Sequence, residues 1–234
     1  SYSVTGVQTC ALPILLLMGS VKQEKTAPLT SLRASLAAIT EGFRFVWGAP
    51  VIVSSMMLDF FATFFASANT LLPFVARDIL KVGALEYGWL SAAQSVGAVA
   101  VGMYVSQRAL IRRQGKALMA SIALMGVATV WFGLSRSFWA ALAALILIGA
   151  GDALNTILRN TLRQINTPDA MRGRMVSLNL IFFQGGPQLG EIEAGIAAAA
   201  FGVPFAIISG GVGTLFAMWA VARRWPQLPK YLAV

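Results

Sequence analysis

The chain has 234 residues, 57% hydrophobic and only 12% charged, with a net charge of +9 and no histidine; its mean hydropathy is +0.72. Roughly a quarter of the residues in a soluble domain are charged, so this composition excludes an ordinary water-soluble fold and makes the bilayer the solvent. With Cys10 as the one cysteine, it also excludes a Cys/His metal cluster, a haem ligand pair, a disulfide and any Ser-His or Cys-His catalytic arrangement; no metal, no cofactor and no enzymatic activity are expected.

The first fourteen residues stand apart. Val4 to Ile14 (VTGVQTCALPI) can be written as codons that resemble a short-read library adapter translated in frame, so residues 1–14 are left out of the fold expectation. A signal peptide is the alternative, but no positive region precedes the apolar stretch. Residues 15–49 precede the apolar spans as a short apolar remnant, a polar linker over Gly19 to Pro28, and an amphipathic helix over Thr30 to Trp47. That helix places Leu32, Leu36, Ile39, Phe43 and Val46 at spacings of three and four.

Six apolar spans are predicted across residues 50–222: Pro50–Phe74, Tyr87–Ser106, Ala117–Leu134, Phe138–Leu158, Met175–Phe201 and Val203–Ala222. Each reaches the roughly 17–25 residues needed to cross a bilayer. The runs are continuous, not alternating, which favours helices over a barrel. A tail over residues 223–234 closes the chain. The fold class is therefore an all-α membrane protein with six transmembrane helices.

The positions of the basic residues set the orientation. Lys22, Lys25, Arg33 and Arg44 precede the first span; Arg108, Arg112, Arg113 and Lys116 follow the second; Arg159, Arg163, Arg172 and Arg174 follow the fourth; Arg223, Arg224 and Lys230 follow the sixth. Only Arg77, Lys81 and Arg136, of 18 basic residues, fall on the other side. Short cytoplasmic loops collect Lys and Arg, so both termini are expected in the cytoplasm, in a multi-pass protein of the inner (plasma) membrane. The same distribution accounts for the positive charge through topology, with no nucleic-acid partner.

Three segments carry a family resemblance: Thr167–Arg174 (TPDAMRGR), Gln188–Gly195 (QLGEIEAG) and Gly210–Leu215 (GGVGTL), with Gly42–Pro50 (GFRFVWGAP), Asp59 and Leu72–Leu80 (LPFVARDIL) in support. Together they resemble the last helices of major facilitator superfamily transporters of the enterobactin-exporter-like efflux group, from about Leu32 to the C-terminus. The resemblance implies the C-terminal six-helix half of that fold, a 3+3 inverted repeat, with an N-terminal six-helix half as its missing partner. It implies a secondary active transporter, proton-coupled, exporting a small amphipathic or siderophore-like molecule, and inactive as a fragment. In one respect the chain departs from the family: Ser106–Lys116 (SQRALIRRQGK) keeps the basic residues of the loop motif, Arg112 and Arg113 among them, but has no carboxylate. The competing reading is a non-transporting six-helix scaffold or receptor.

Four carboxylates fall inside the spans, Asp59, Asp152, Glu191 and Glu193. A buried charge in a membrane costs a few kcal/mol and marks a functional position by default. Asp59, near the middle of the first span, is the leading candidate for proton coupling or cation recognition. Asp152 and Asn155, three residues apart, share a helical face and line the substrate path or bond a neighbouring helix. Glu191 and Glu193 point to different faces. Gln94 and Gln184 sit in spans that line the cavity in the resembling family, with interhelical hydrogen bonding as their plainer role. Phe60, Phe61, Phe64 and Phe65 wrap the first span. Arg172 and Arg174 set topology and are candidate cytoplasmic gate partners.

Overall fold

The computed structural model describes residues 32–65, 68–107, 113–229 and 231. Residues 1–31, and with them the adapter-like segment and the linker, lie outside the described residues, as does Arg112. The long elements are α1 (Leu32–Gly48), α2 (Pro50–Phe65), α3 (Ala84–Ser106), α4 (Gln114–Leu134), α5 (Phe138–Ile165), α6 (Arg172–Phe201) and α7 (Val203–Arg224). All regular structure among the described residues is helical.

Three of these helices are by themselves long and apolar enough to cross a membrane: α4, α5 and α7. The part of α1 from Thr40 to Gly48 and α2 make a fourth if taken as one span, although they are bent by 100°. The bend falls at Ala49–Pro50. Proline cannot donate a backbone hydrogen bond and pushes the residue before it out of the α region, so one helix ends there and another starts with Pro at its first position. α3 and α6 carry the polar residues Glu86 and Gln94, and Gln184, Gln188, Glu191 and Glu193, which lowers their hydropathy.

Two predicted spans need correction. Pro50–Phe74 is not one helix: α2 stops at Phe65, a 3-10 turn covers Ala68–Leu71, one α turn covers Leu72–Phe74 and a π turn covers Val75–Ile79. Pro73 is responsible, since its ring would clash with the carbonyl four residues earlier in a continuous helix; it is accommodated by restarting the helix at Leu72. The fourth span does not end at Leu158, because α5 continues through Arg159 and Arg163 to Ile165. Those arginines are helical and buried, not loop residues.

Inside the unit from Ala38 onward, α3 packs along α5, α4 along α5 and α7, and α2 against α6 and α7. The α3–α5 crossing is very close. A Cβ on Gly97 would lie 1.9 Å from the Ile146 carbonyl oxygen, and one on Gly149 would lie 2.0 Å from the Gln94 carbonyl oxygen. Small residues let membrane helices approach this closely. The main core combines Leu90, Leu118, Ile122, Phe132, Leu145 and Leu162; a smaller one joins Val46, Ile52, Val53 and Met56 to Met175 and Leu178. The outer surface is apolar, with Trp89, Trp139, Ile181, Ile196, Phe201 and Phe216 all exposed. Such a surface belongs against lipid. In α1, Val46 is buried while Phe43 stacks on exposed Trp47 at 4.8 Å between rings.

One end of the bundle gathers the basic segments. The Gly115 N–H at the start of α4 donates to the Tyr231 carbonyl at 3.3 Å, and Asn166 Nδ2 just past α5 donates to Tyr231 Oη at 2.7 Å. At α7, Arg223 and Arg224 lie over Trp219 and Trp225. Arg174, at the start of α6, pairs with Glu41 of α1 at 2.5 Å. Glu41 is exposed and Arg174 half-buried, so a double-mutant cycle with Glu41→Gln and Arg174→Gln should return a coupling of no more than about 1 kcal/mol. A larger coupling in chemical unfolding would show the pair to be shielded from water.

Candidate functional site

Two polar features lie next to each other inside the bundle. The first is a cavity of about 400 Å³, walled by Gln94, Ser95 and Ala98 of α3, Met125 of α4 and Ile148, Gly149 and Asp152 of α5. Phe183, Pro187 and Glu191 of α6, with Thr63 and Thr70, complete it. Asp152 and Glu191 are both accessible, so two carboxylates from different helices border one partly open pocket with apolar neighbours. Pro187 sits inside α6, where its missing N–H leaves the Phe183 carbonyl without its usual helical donor and favours a bend beside the cavity. α6 also comes close to α2 here, since a Cβ on Gly186 would lie 2.6 Å from Thr63 Oγ1.

The second feature is a buried ionic cluster. Asp59 of α2 is 1% exposed and forms ion pairs with Arg159 and Arg163 of α5, which are 4% and 1% exposed. Arg163 is fully engaged. Its Nε donates to Ser55 Oγ at 3.1 Å, one Nη donates to the Ser55 carbonyl at 3.0 Å and lies 3.7 Å from Asp59 Oδ2, and the other donates to Asn179 Oδ1 of α6. Arg159 contacts Asp59 Oδ1, reaches Thr156 Oγ1 at 3.4 Å and lies 4.8 Å above the ring of Phe183. Phe183 thus contacts Arg159 and also lines the cavity.

The residues singled out from sequence divide between these features. Asp152, Glu191 and Gln94 line the cavity. Asp59 lies in the ionic cluster, outside the cavity wall, and Asn155 is buried one turn from Arg159. Gln184 is exposed and is not part of the cavity wall. Glu193 lines a separate apolar depression with Phe64, Leu189 and Phe201, on another face from Glu191. Arg113 precedes α4 and is exposed, Arg172 pairs with Asp169 at 3.0 Å, and Arg174 pairs with Glu41. Sequence reasoning missed Arg159, Arg163, Asn179 and Phe183. The signal for the arginines was present: they continue the three- and four-residue spacing of Asp152 and Asn155, and an intramembrane Asp needs a cation.

A family profile described as transmembrane secretion effector matches residues 3–232. The enterobactin exporter EntS of Shigella boydii serotype 18 is 30% identical over 156 residues, which is 67% of this chain and 36% of that protein. The EntS of Escherichia coli strain HS matches over the same length at the same identity. The multidrug efflux pump Tap of Mycolicibacterium fortuitum is 30% identical over 175 residues, 73% of this chain and 42% of that protein. The chain therefore spans well under half the length of the curated relatives it matches.

Proposed function

We propose that this chain, which belongs to the transmembrane secretion effector family of the major facilitator superfamily, forms one six-helix half of a secondary exporter that moves a small amphipathic or siderophore-like molecule outward against proton entry. The observation that carries this reading is the cavity in which Asp152 and Glu191 meet, with Gln94 beside them and Met125 and Phe183 as apolar wall. Carboxylates held in such a space can exchange a proton and bind a polar group, while the apolar wall takes the rest of the cargo. A scaffold has no use for that arrangement.

The helix pairings favour six spans in a 3+3 repeat. If α2, α3 and α4 are exchanged with α5, α6 and α7, the α3–α5 contact maps onto α6–α2 and the α4–α5 contact onto α7–α2, while α4–α7 maps onto itself. Each of these contacts is made, while the α6–α7 contact has no comparable counterpart between α3 and α4. In transporters built from repeats the binding site lies near the midplane at a repeat interface, so a second six-helix half is the expected partner and this chain alone should not transport. The gathering of Arg113, Lys116, Arg172, Arg174, Arg223 and Arg224 at helix ends favours a cytoplasmic position for both termini in the inner membrane.

The test is made in the whole exporter, in everted membrane vesicles. Asp152→Asn and Glu191→Gln should each lower substrate-driven proton movement by about tenfold or more, the scale of a lost general acid–base group, with insertion unchanged on a Western blot. Full coupling in both variants would remove the cavity from the mechanism.

A further inference from the structure

The ionic cluster holds two guanidinium groups and one carboxylate, all nearly inaccessible to water. Among the described residues no other carboxylate pairs with either arginine. Buried charges are ordinarily matched, so the cluster carries a surplus positive charge. The surplus is not shared evenly. Arg163 directs its donors to Ser55, Asn179 and Asp59, whereas Arg159 meets Asp59 and Thr156 through its Nη atoms and its Nε is buried with no hydrogen-bond partner.

Asn155, 1% exposed, lies four residues before Arg159, one turn along the same face of α5, and its Nδ2 is also buried without a partner. A buried donor left unpaired costs a good part of its desolvation energy. Two such donors, a turn apart beside uncompensated positive charge, call for an acceptor that carries negative charge. Phe183 links this region to the cavity: it lies 4.8 Å from the Arg159 guanidinium and is part of the cavity wall.

We infer that Asn155 Nδ2 and Arg159 Nε form an anion-binding subsite behind Phe183, which takes a carboxylate or comparable anionic group while the apolar part of the same molecule stays in the cavity. The inference rests on the exporter reading and narrows its cargo class to amphipathic molecules with an acidic group. Rotation of the Phe183 ring exposes the subsite to the cavity, and Asp152, two turns from Arg159, stays free for the polar remainder of the cargo.

Isothermal titration calorimetry on the purified full chain in detergent tests this with three probes: 2-naphthoate, its neutral isostere 2-naphthamide, and sodium chloride. 2-Naphthoate should bind at least about tenfold more tightly than 2-naphthamide, and Asn155→Leu should remove about tenfold or more of that affinity, as expected for a hydrogen bond to a charged group. Arg159→Met should remove more, but it also unpairs Asp59, so the decision rests on Asn155→Leu. Equal binding of naphthoate and naphthamide, or naphthoate binding that ignores Asn155→Leu, overturns the subsite. If chloride alone binds as tightly as naphthoate with the same dependence on Asn155, the subsite stands and its anion is inorganic. A parallel titration with tetraphenylphosphonium reads the cavity carboxylates: failure of that cation to bind in an Asp152-dependent way counts against the exporter reading and leaves the naphthoate result to be judged separately.

Discussion

Asp59→Asn is expected to destabilise the folded bundle by about 3–5 kcal/mol, the cost of removing one member of a buried ion pair. Asp59 is the one carboxylate paired with Arg159 and Arg163 among the described residues, and the amide that replaces it cannot neutralise either cation. The predicted signature is a large drop in the midpoint of SDS or thermal unfolding, read by tryptophan fluorescence on the purified chain. A second variant separates charge balance from other roles of Asp59. Adding Arg159→Met to Asp59→Asn removes one cation with its partner, and replacing a buried pair by apolar groups of similar size is often neutral or stabilising. The double variant should therefore recover more than half of the loss. Recovery of none would mean that Asp59 acts through something other than the arginines; no loss in the single variant would show that water reaches the cluster.

Gly149→Ala should be at least as damaging, although it adds only one methyl group. The new carbon would sit 2.0 Å from the Gln94 carbonyl oxygen, and backbone cannot turn aside as a side chain can. Overpacking against flexible neighbours costs about 1–3 kcal/mol; here α3 and α5 must separate along their shared face, so a loss at or above the top of that range is expected. Gly97→Ala meets the Ile146 carbonyl oxygen at 1.9 Å and should behave alike. Gly102 lies on the same α3 helix with nothing within 4 Å of its would-be Cβ, so Gly102→Ala should leave stability unchanged or raise it by up to about 1 kcal/mol through helix propensity. Size-exclusion profiles of the three variants in one detergent decide the matter: aggregation confined to Gly97→Ala and Gly149→Ala locates the effect at the crossing. Equal profiles for all three would show that the close α3–α5 approach does not set their stability.

The all-helical architecture was legible in the sequence because continuous apolar runs report the strongest force on a chain in a bilayer, the transfer of side chains into lipid. What escaped was anything that depends on rotation about a helix axis. Asp59 and Asp152 carry the same cost when read as intramembrane carboxylates, yet Asp152 faces the cavity and Asp59 faces two arginines. Gln94 and Gln184 are the same residue type within apolar runs, and only Gln94 reaches the cavity. Arg159 and Arg163 were hidden for another reason. The apolar run ends at Leu158, and a hydropathy window ends the span with it, although no helix breaker occurs before the Asn166–Pro168 segment. A charge that ends an apolar window is either the start of a loop or the counterion of an acid elsewhere in the chain; the i, i+4 register with Asn155 separates the two.

The first span contains its own mechanical decoupler. Between Ala68 and Ile79 the backbone passes from a 3-10 turn to an α turn to a π turn, so the rotation per residue is first tighter and then looser than that of α2. A uniform helix is a stiff shaft, and a twist applied at one end arrives at the other. A shaft with an overwound and an underwound section absorbs the twist there. In an exporter, reorientation of α2 around Asp59 would then not have to turn the Arg77–Lys81 segment with it.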